Sequence, residues 1–407
     1  MSQESPRMET VAAVLLAPTD DVATALSGLP GGTLIRVARD GVVREVSLRE
    51  DIPLGHKFAV RALAAGLRIR KYGEFIGRTS RDVDAGMWVH EHNLVTAARR
   101  HGDDERAWTE QSQPVDVHAL GTPRTTVGEC PVYDEANHRL YWIDVRDTPA
   151  IHGLDLANGE ERTWPMQEDI GALVPAANGT LLAGLRSGFA WFDPAHGELT
   201  PIVDPEPGTP QTRLNEGKCD PAGRLWCGSM NPESGVAEGS LYVLETDLRC
   251  RRVSGDWITP NGYAWSVDGA TMYAADTRRG LIYAWPFDVA TGRQGERRIF
   301  ADLGALPGGP DGATVDAEGY LWSALFDGGC LIRFDPQGRM NRVVRLPVGK
   351  PSSCTFGGPG CRQLFVTTAT RGYSRERLAQ EPMAGRVLVL DVGVHGLPAI
   401  GFGGSPT

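Results

Sequence analysis

The feature that most constrains the fold is a short unit that recurs along the chain: a polar segment, a tight turn and an apolar strand. In its clearest copy, the polar residues 213–218 are followed by the turn 220–223 and the apolar segment 225–229. The turn contains Pro, which presets φ, and Gly, which tolerates a positive φ. Similar units begin near Asn261 and Asp311. A spacing of roughly 45–50 residues is typical of propeller blades.

The region 123–400 contains many short apolar segments separated by turns. None of its windows has the 3.6-residue period of an amphipathic helix. The content of 50 Gly and 28 Pro also suits a turn-rich β protein. About six repeats predict a mainly β chain whose larger part is a six-bladed β-propeller. In such a fold, the polar residues that open the repeats converge on one spot.

Length and composition exclude several classes of function. A chain of 407 residues is long enough for two domains. The net charge of −10 is spread along the sequence and offers no basic surface for nucleic acid or an anionic membrane. No apolar run approaches the length of about 20 residues that spans a bilayer. Seven Cys without a C-x-x-C pair, and no signal peptide, predict reduced thiols and a cytoplasmic protein.

A smaller domain is predicted over residues 10–98, followed by a polar linker over 99–122. Within the domain, the pattern of 19–26 predicts a short capped helix. Its motifs resemble the amino-terminal SAF-type domain of altronate and galactarate dehydratases: they are residues 51–58, 71–73, 76–77 and 86–93. The resemblance implies a small β-clip that binds a sugar acid or mediates assembly, including homo-oligomer contacts. Dehydration by this chain is disfavoured because the large dehydratase domain is absent.

His90 and His92 form a second candidate site within that domain. In a strand, residues two apart point to the same face, so the pair would share a metal ion or an anion. The alternative is that both are ordinary surface histidines. Three further histidines, at 138, 152 and 196, lie in turn-like contexts and are expected to be solvent-exposed.

Three oxygen-bearing side chains stand at the heads of repeats: Glu129, Asn261 and Asp311. Two carboxylates and one amide are ligands that hard divalent cations accept, and so few protein ligands leave positions open for water and substrate. Each residue alone would also serve as a turn residue that bonds its own backbone. Their shared context favours a single metal site.

The larger domain resembles the regucalcin, gluconolactonase and luciferin-regenerating-enzyme family. The matching segments are 128–131, 141–144, 213–224, 228–230, 261–266, 273–276 and 310–312. The resemblance implies that Glu129, Asn261 and Asp311 bind one divalent cation and that Asp311 is also the general base. It further implies that Arg213, Asn215 and Glu233 contact a sugar lactone. Two positions depart from the family pattern, because Glu216 stands where Asp is usual and Cys130 replaces a small residue.

The resulting prediction is metal-dependent hydrolysis of an aldono- or aldarolactone to the open-chain acid, in sugar-acid catabolism. The cation would be Ca²⁺, Mg²⁺, Mn²⁺, Zn²⁺ or Fe²⁺ and would polarise the ring carbonyl. The chain has no Gly-x-Ser-x-Gly segment, which disfavours a serine hydrolase. The alternative is a non-catalytic propeller that binds a metal ion and a sugar acid.

Overall fold

The computed structural model describes residues 12–39, 42–71, 74–96, 112–113, 115–304 and 306–405. Strands dominate these residues, which confirms the prediction of a mainly β chain. The chain divides into two units, residues 1–100 with 234–236 and residues 101–233 with 237–407. No helix in the described part is long and apolar enough to cross a bilayer.

The first unit contains nine strands among its described residues. They are β1 (Ala13–Val14), β2 (Val22–Ala25), β3 (Leu34–Arg39), β4 (Val42–Ser47), β5 (Lys57–Ala59), β6 (Arg68–Lys71), β7 (Glu74–Thr79), β8 (Trp88–Val89) and β9 (Leu94–Thr96). They form a four-stranded sheet in the order β1-β2-β5-β8, the hairpin β3-β4 and a three-stranded sheet in the order β6-β7-β9. An apolar core that includes Leu15, Ile52 and Phe58 stabilises the unit.

The helix predicted over residues 19–26 is wrong, because the segment forms a turn followed by strand β2. Two aspartates near its start stabilise this structure. Asp20 Oδ2 accepts a hydrogen bond from Ala17 N at 3.0 Å, and Asp21 Oδ2 accepts one from Arg70 N at 2.8 Å. Small apolar side chains in β2 are buried in the sheet, so tertiary packing outweighs the local helical pattern.

The second unit contains the remaining strands. They are β10 (Ser112–Gln113), β11 (Val117–Leu120), β12 (Gly128–Asp134), β13 (Arg139–Asp144), β14 (Ala150–Asp155), β15 (Glu161–Pro165), β16 (Ile170–Pro175), β17 (Leu181–Leu185), β18 (Gly188–Asp193), β19 (Glu198–Val203), β20 (Arg213–Cys219), β21 (Leu225–Met230), β22 (Gly239–Leu244) and β23 (Cys250–Trp257). They continue with β24 (Pro260–Trp265), β25 (Thr271–Asp276), β26 (Leu281–Asp288), β27 (Arg293–Gln294), β28 (Arg298–Asp302), β29 (Gly309–Val315), β30 (Leu321–Phe326), β31 (Cys330–Phe334), β32 (Met340–Arg345), β33 (Pro351–Gly357), β34 (Gln363–Thr368) and β35 (Val387–Asp391). One α-helix (Arg375–Gln380) and two 3₁₀ turns (Ala177–Gly179 and Pro359–Cys361) complete the described elements.

These strands form six sheets in the described part of the unit, and most of their strand pairs are antiparallel. Their first strands are β12, β16, β20, β24, β29 and β33; each contacts the next, and β33 contacts β12. Residues 112–113 and 117–120, which fall in the predicted linker, are strands: β10 pairs with β32 and β11 pairs with β35. The sixth sheet, β11-β35-β34-β33, therefore combines strands from the two ends of the unit.

Apolar clusters fill the space between every pair of neighbouring sheets. Strands covered on both faces read as continuous apolar runs, which explains why the sequence lacks strict alternation. The recurring turn has its own role. Asp220 Oδ2 accepts the indole N–H of Trp226 at 2.9 Å, and Asp316 Oδ2 accepts that of Trp322 at 2.8 Å. The aspartates also accept turn N–H groups, so the repeated motif links each turn to its buried strand.

His152 contradicts the expectation that it is exposed. It lies in β14 with only 7% of its surface exposed. Its ring stacks on Trp142 with centroids 5.2 Å apart, and its Nδ1 lies 2.9 Å from Thr163 Oγ1. Burial lowers the pKa of His152 to about 4.

This burial predicts a pH-dependent stability. The folded state favours neutral His152, so its contribution is complete above the ordinary pKa near 6.5 and is lost as the pH falls towards 4. Between pH 7.5 and 5.0 we expect a loss of about 2 kcal/mol from this residue. Urea unfolding at both pH values should show a smaller loss for His152→Gln. The matched control, His196→Gln, alters an exposed histidine. It should keep the part of the wild-type difference in unfolding free energy between the two pH values that His152 causes.

Candidate functional site

In each of the six sheets described for the second unit, a register shift interrupts the pairing near the start of the first strand. In three of them the shift follows Glu129, Asn215 or Asn261, and in β29 it spans Asp311. Such β-bulges re-aim side chains and bend the strand locally. The residue after each of the first three has a positive φ: Cys130 at 47°, Glu216 at 42° and Gly262 at 65°. The bulges therefore place polar side chains of several sheets at one end of the ring.

A chain of hydrogen bonds links two of these sheets. Arg213 Nη1 donates to Asn215 Oδ1 at 2.7 Å, and Asn215 Nδ2 donates to Asn261 Oδ1 at 2.6 Å. Asn261 Nδ2 in turn donates to Thr277 Oγ1 at 2.8 Å. Asn215 Nδ2 also donates to the carbonyl oxygen of Pro260 at 2.8 Å. These partners fix the amide orientations, and Asn261 Oδ1 keeps a second lone pair for another partner.

Three carboxylates interact electrostatically at the same end: Glu129, Glu216 and Asp311. Burial, then the charges of Glu129 and Glu216, raises the pKa of Asp311 well above its usual range. Burial and Glu216 do the same to the pKa of Glu129. Burial raises the pKa of Glu216 to about 7 although Lys218 and the N–H of Gly262 oppose the shift. Gly262 N donates directly to Glu216 Oε2.

The donor set fits a divalent cation. Among the described residues, Asp311 Oδ1 is buried and has no hydrogen-bond partner. A buried carboxylate oxygen without a partner is costly, and a cation or a proton would remove that cost. No three His, Cys, Asp or Glu side chains in the described ranges form a metal-holding group. That is compatible with a set of Glu129, Asn261 and Asp311, because one of its members is an amide.

The predicted substrate residues lie at different depths. Arg213 and Asn215 are buried, and burial lowers the pKa of Arg213 to about 10. The side chain of Glu233 is 73% exposed and pairs with Arg146 at 3.0 Å. The structure thus brings Asn215 against Asn261 and Arg213 against Asn215, whereas it leaves Glu233 at the rim.

Several polar neighbours of the site were not singled out from the sequence: Arg146, Asp169, Arg186 and Thr277. Asp169 Oδ2 lies 2.7 Å from Arg186 Nη2 and 3.8 Å from Arg213 Nε. These residues precede or follow strands and do not share a repeated motif. Only their position beside the strand ends would have indicated them.

The strand assumed for the second candidate site is wrong, whereas its binding of a metal ion or an anion stays a prediction. Strand β8 ends at Val89, so His90 and His92 lie in a bend and a turn and do not alternate along a strand. Their ring centroids are 6.5 Å apart, and the ring of His56 lies 5.2 Å from that of His90. Each of the three rings lies within 5.6 Å of Trp88. The described residues here do not form a metal-holding group.

A cavity of about 190 Å³ in the second unit lies beyond the bulges. Its walls include Val132, Val174 and Val315, which follow the bulges in their strands, and residues 397–400. It therefore lies towards the opposite end of the ring from Arg213. Glu216 lines it as well and is a neighbour of both regions.

Two protein family models match the chain. The model of the SMP-30/gluconolactonase/LRE-like region matches residues 127–370, more than half of the chain. The chain belongs to this family. A second model, the altronate/galactarate dehydratase SAF domain, matches residues 11–97. Both resemblances inferred from the sequence are thereby confirmed.

The matches to individual relatives cover almost the whole length of each relative. A 6-deoxy-6-sulfogluconolactonase of Pseudomonas putida is 34% identical over 274 residues, 67% of this chain and 93% of that protein. Regucalcin of Gallus gallus is 33% identical over 297 residues, 71% of this chain and 99% of that protein. The structure of a calcium-binding regucalcin from Agrobacterium tumefaciens has a TM-score of 0.69 at 27% identity and covers 72% of this chain and 99% of that one.

The raised pKa values predict that protons compete with a cation for Glu129 and Asp311. We expect the affinity for Ca²⁺ or Mn²⁺ to fall as the pH is lowered from about 8 to about 6, with protons released on binding. Calorimetry in buffers of different ionisation enthalpy measures both effects. Glu129→Gln should weaken binding by roughly tenfold or more and reduce proton release. Glu318→Gln, at an exposed carboxylate paired with Arg333, is the control; equal affinity at both pH values would contradict the ligand assignment.

Proposed function

We propose that the chain hydrolyses a sugar lactone with the help of one divalent cation. The observation that carries this proposal is the unpartnered, buried Asp311 Oδ1 beside Glu129 and the fixed amide of Asn261. Relatives named 6-deoxy-6-sulfogluconolactonase and putative sugar lactone lactonase support the reaction class. The calcium-binding regucalcin supports a divalent ion, without deciding which one.

The residues of the site divide the reaction between them. When bound by Glu129, Asn261 and Asp311, the cation supplies Lewis-acid polarisation of the lactone carbonyl. Asp311 accepts the proton of the attacking water as the water oxygen bonds to the carbonyl carbon. The ring C–O bond then breaks, and the ring oxygen takes this proton from Asp311 and leaves as a hydroxyl group, which returns Asp311 to its starting form. Arg213 holds sugar oxygens through its fork of donors, and Asn215 fixes both Arg213 and Asn261.

The finer architecture is part of the same proposal. We take the six sheets as six propeller blades, with strand β11 completing the last blade next to β35. The first unit is taken as a β-clip of the SAF type over residues 10–98, in line with the matching model. The seven cysteines are all unpaired, which supports a reducing compartment such as the cytoplasm. A homo-oligomer formed through the first unit stays a prediction.

Both family matches support the proposed substrate class. The relative from Pseudomonas putida is named 6-deoxy-6-sulfogluconolactonase, and the SAF model is that of altronate and galactarate dehydratases. Opening an aldono- or aldarolactone yields the free acid that a dehydratase consumes. We therefore propose aldono- and aldarolactones as substrates, and sugar-acid catabolism as the setting.

The decisive experiment measures acid release from a panel of aldonolactones and aldarolactones with a pH indicator. Metal-stripped protein is tested first, and each divalent cation is then added back. Asp311→Asn should lower kcat by roughly 10²–10⁴-fold, because it removes the proton acceptor. Asp247→Asn, at an exposed carboxylate paired with Arg249, serves as the control.

Failure of this experiment has a clear meaning. A wild-type protein that binds a cation but opens no lactone, or an Asp311→Asn variant with unchanged turnover, would contradict the hydrolase. The non-catalytic binding protein would then explain the site better.

A further inference from the structure

Three arginines lie around the proposed lactone site, but they differ in how fully they are paired. Arg186 is satisfied: its Nη2 pairs with Asp169 at 2.7 Å, and its Nη1 donates to the carbonyl of Pro210 at 3.0 Å. Asp169 is thereby engaged, and Arg213 Nε lies at the longer distance of 3.8 Å from it. Arg213 therefore keeps a buried Nε without a hydrogen-bond partner among the described residues.

Arg146 has even more unused donors. Its Nη2 pairs with the exposed carboxylate of Glu233 at 3.0 Å, whereas its Nε and Nη1 are buried and have no partner in the described part of the chain. Unpaired buried donors cost free energy, and more so on a charged group. A guanidinium whose Nε–H and Nη1–H groups are unused can donate charged hydrogen bonds to the oxygens of an anion.

The topology places Arg146 at the same end of the ring as the proposed catalytic residues. Strand β13 ends at Asp144, which pairs with Gly128, the neighbour of Glu129. Glu233 follows β21, whose last residue Met230 pairs with Arg213. Arg146 also lies close enough to Arg213 for its charge to disfavour the protonated form of Arg213.

The backbone of the second sheet leaves room for this pair. Gly171 lies in the register shift of β16, between the sheets that carry Glu129 and Asn215. A Cβ added at Gly171 would meet Arg213 Nη1 at 2.9 Å and the carbonyl oxygen of Leu214 at 1.9 Å. Because this position has no side chain, the Arg213 guanidinium occupies the space above the second sheet.

We propose that Arg146, together with Arg213, makes the site selective for lactones that carry an anionic group away from the reacting ester. The inference rests on the proposed lactonase function and specifies its substrate class. The two arginines supply the free N–H groups, and the anion is a carboxylate, a sulfonate or a phosphate at the far end of the sugar. Glu233 is the counter-ion that the substrate anion displaces from Arg146, which its exposure permits.

The test compares lactones that differ only in this group. D-glucaro-1,4-lactone is paired with D-glucono-1,4-lactone, and 6-phosphoglucono-1,5-lactone with glucono-1,5-lactone, so that the two arms separate carboxylate from phosphate. The readout is the ratio of kcat/KM for the anionic and the neutral member. Arg146→Met should lower this ratio by roughly 10–100-fold, mainly through KM, because a charged hydrogen-bonded pair is lost. Arg146→Lys should restore part of it.

Two further variants make the result specific. Glu233→Gln removes the competing carboxylate and should raise the ratio. Arg162→Met removes an exposed arginine paired with Glu160 and should leave the ratio unchanged. A wild-type preference for the neutral lactones, or an unchanged ratio in Arg146→Met, would overturn the proposal.

A binding measurement separates this inference from the proposed function. Calorimetry with D-glucarate and D-gluconate needs no turnover. If the wild type opens no lactone yet binds glucarate more tightly than gluconate, and Arg146→Met loses that preference, the lactonase fails and the anion site stands. If neither acid shows a preference that depends on Arg146, the anion site fails whatever the turnover.

Discussion

Burial of three carboxylates within one ring of strands is the constraint on which the second unit depends. Like charges held together in a buried site disfavour their ionised forms, as the raised pKa values of Glu129 and Asp311 reflect. The surrounding chain offsets this only in part, through Lys218 and Arg213. The fold therefore tolerates a strained centre because apolar clusters between all neighbouring sheets supply the stability elsewhere.

Bulged backbone is what converts a regular ring of strands into a site. A regular strand alternates its side chains between the two faces of the sheet, where neighbouring sheets pack. The register shifts in β12, β20, β24 and β29 break that alternation at the residues with oxygen donors. Cys130 and Glu216 adopt a positive φ without being glycine, which stores backbone strain beside the candidate ligands.

The sequence predicts those parts of this arrangement that belong to the repeated units. The heads at Glu129, Asn215, Asn261 and Asp311 stand at fixed places relative to a turn and a strand, so their common location could be inferred. The sequence does not predict the Asp-to-Trp hydrogen bonds that support the repeat, although Asp220 and Trp226 both belong to its clearest copy. The helix prediction for residues 19–26 is wrong because a local capping pattern carries no information about the partner strands that bury the segment.

Residues outside the repeats could not be placed from sequence. Arg146 and Asp169 lie in connections whose paths depend on how neighbouring sheets are oriented, and no periodicity marks them. His152 was misjudged for a related reason: a single histidine gives no sign of whether its strand is inner or outer, and stacking on Trp142 decides its burial. Pairing across sheets, rather than local pattern, determined each of these outcomes.

Glu216 connects the third sheet to the bulge of the fourth sheet. Its carboxylate accepts the N–H of Gly262, the residue that follows Asn261 in the bulge of the adjacent sheet. Glu216 itself lies in the bulge of β20 with φ of 42°. The bond fixes the bulge that presents Asn261, while Asn215 fixes the amide itself. Two successive residues of β20 therefore orient one candidate ligand of β24, which makes the third and fourth sheets a single positioning unit for the site.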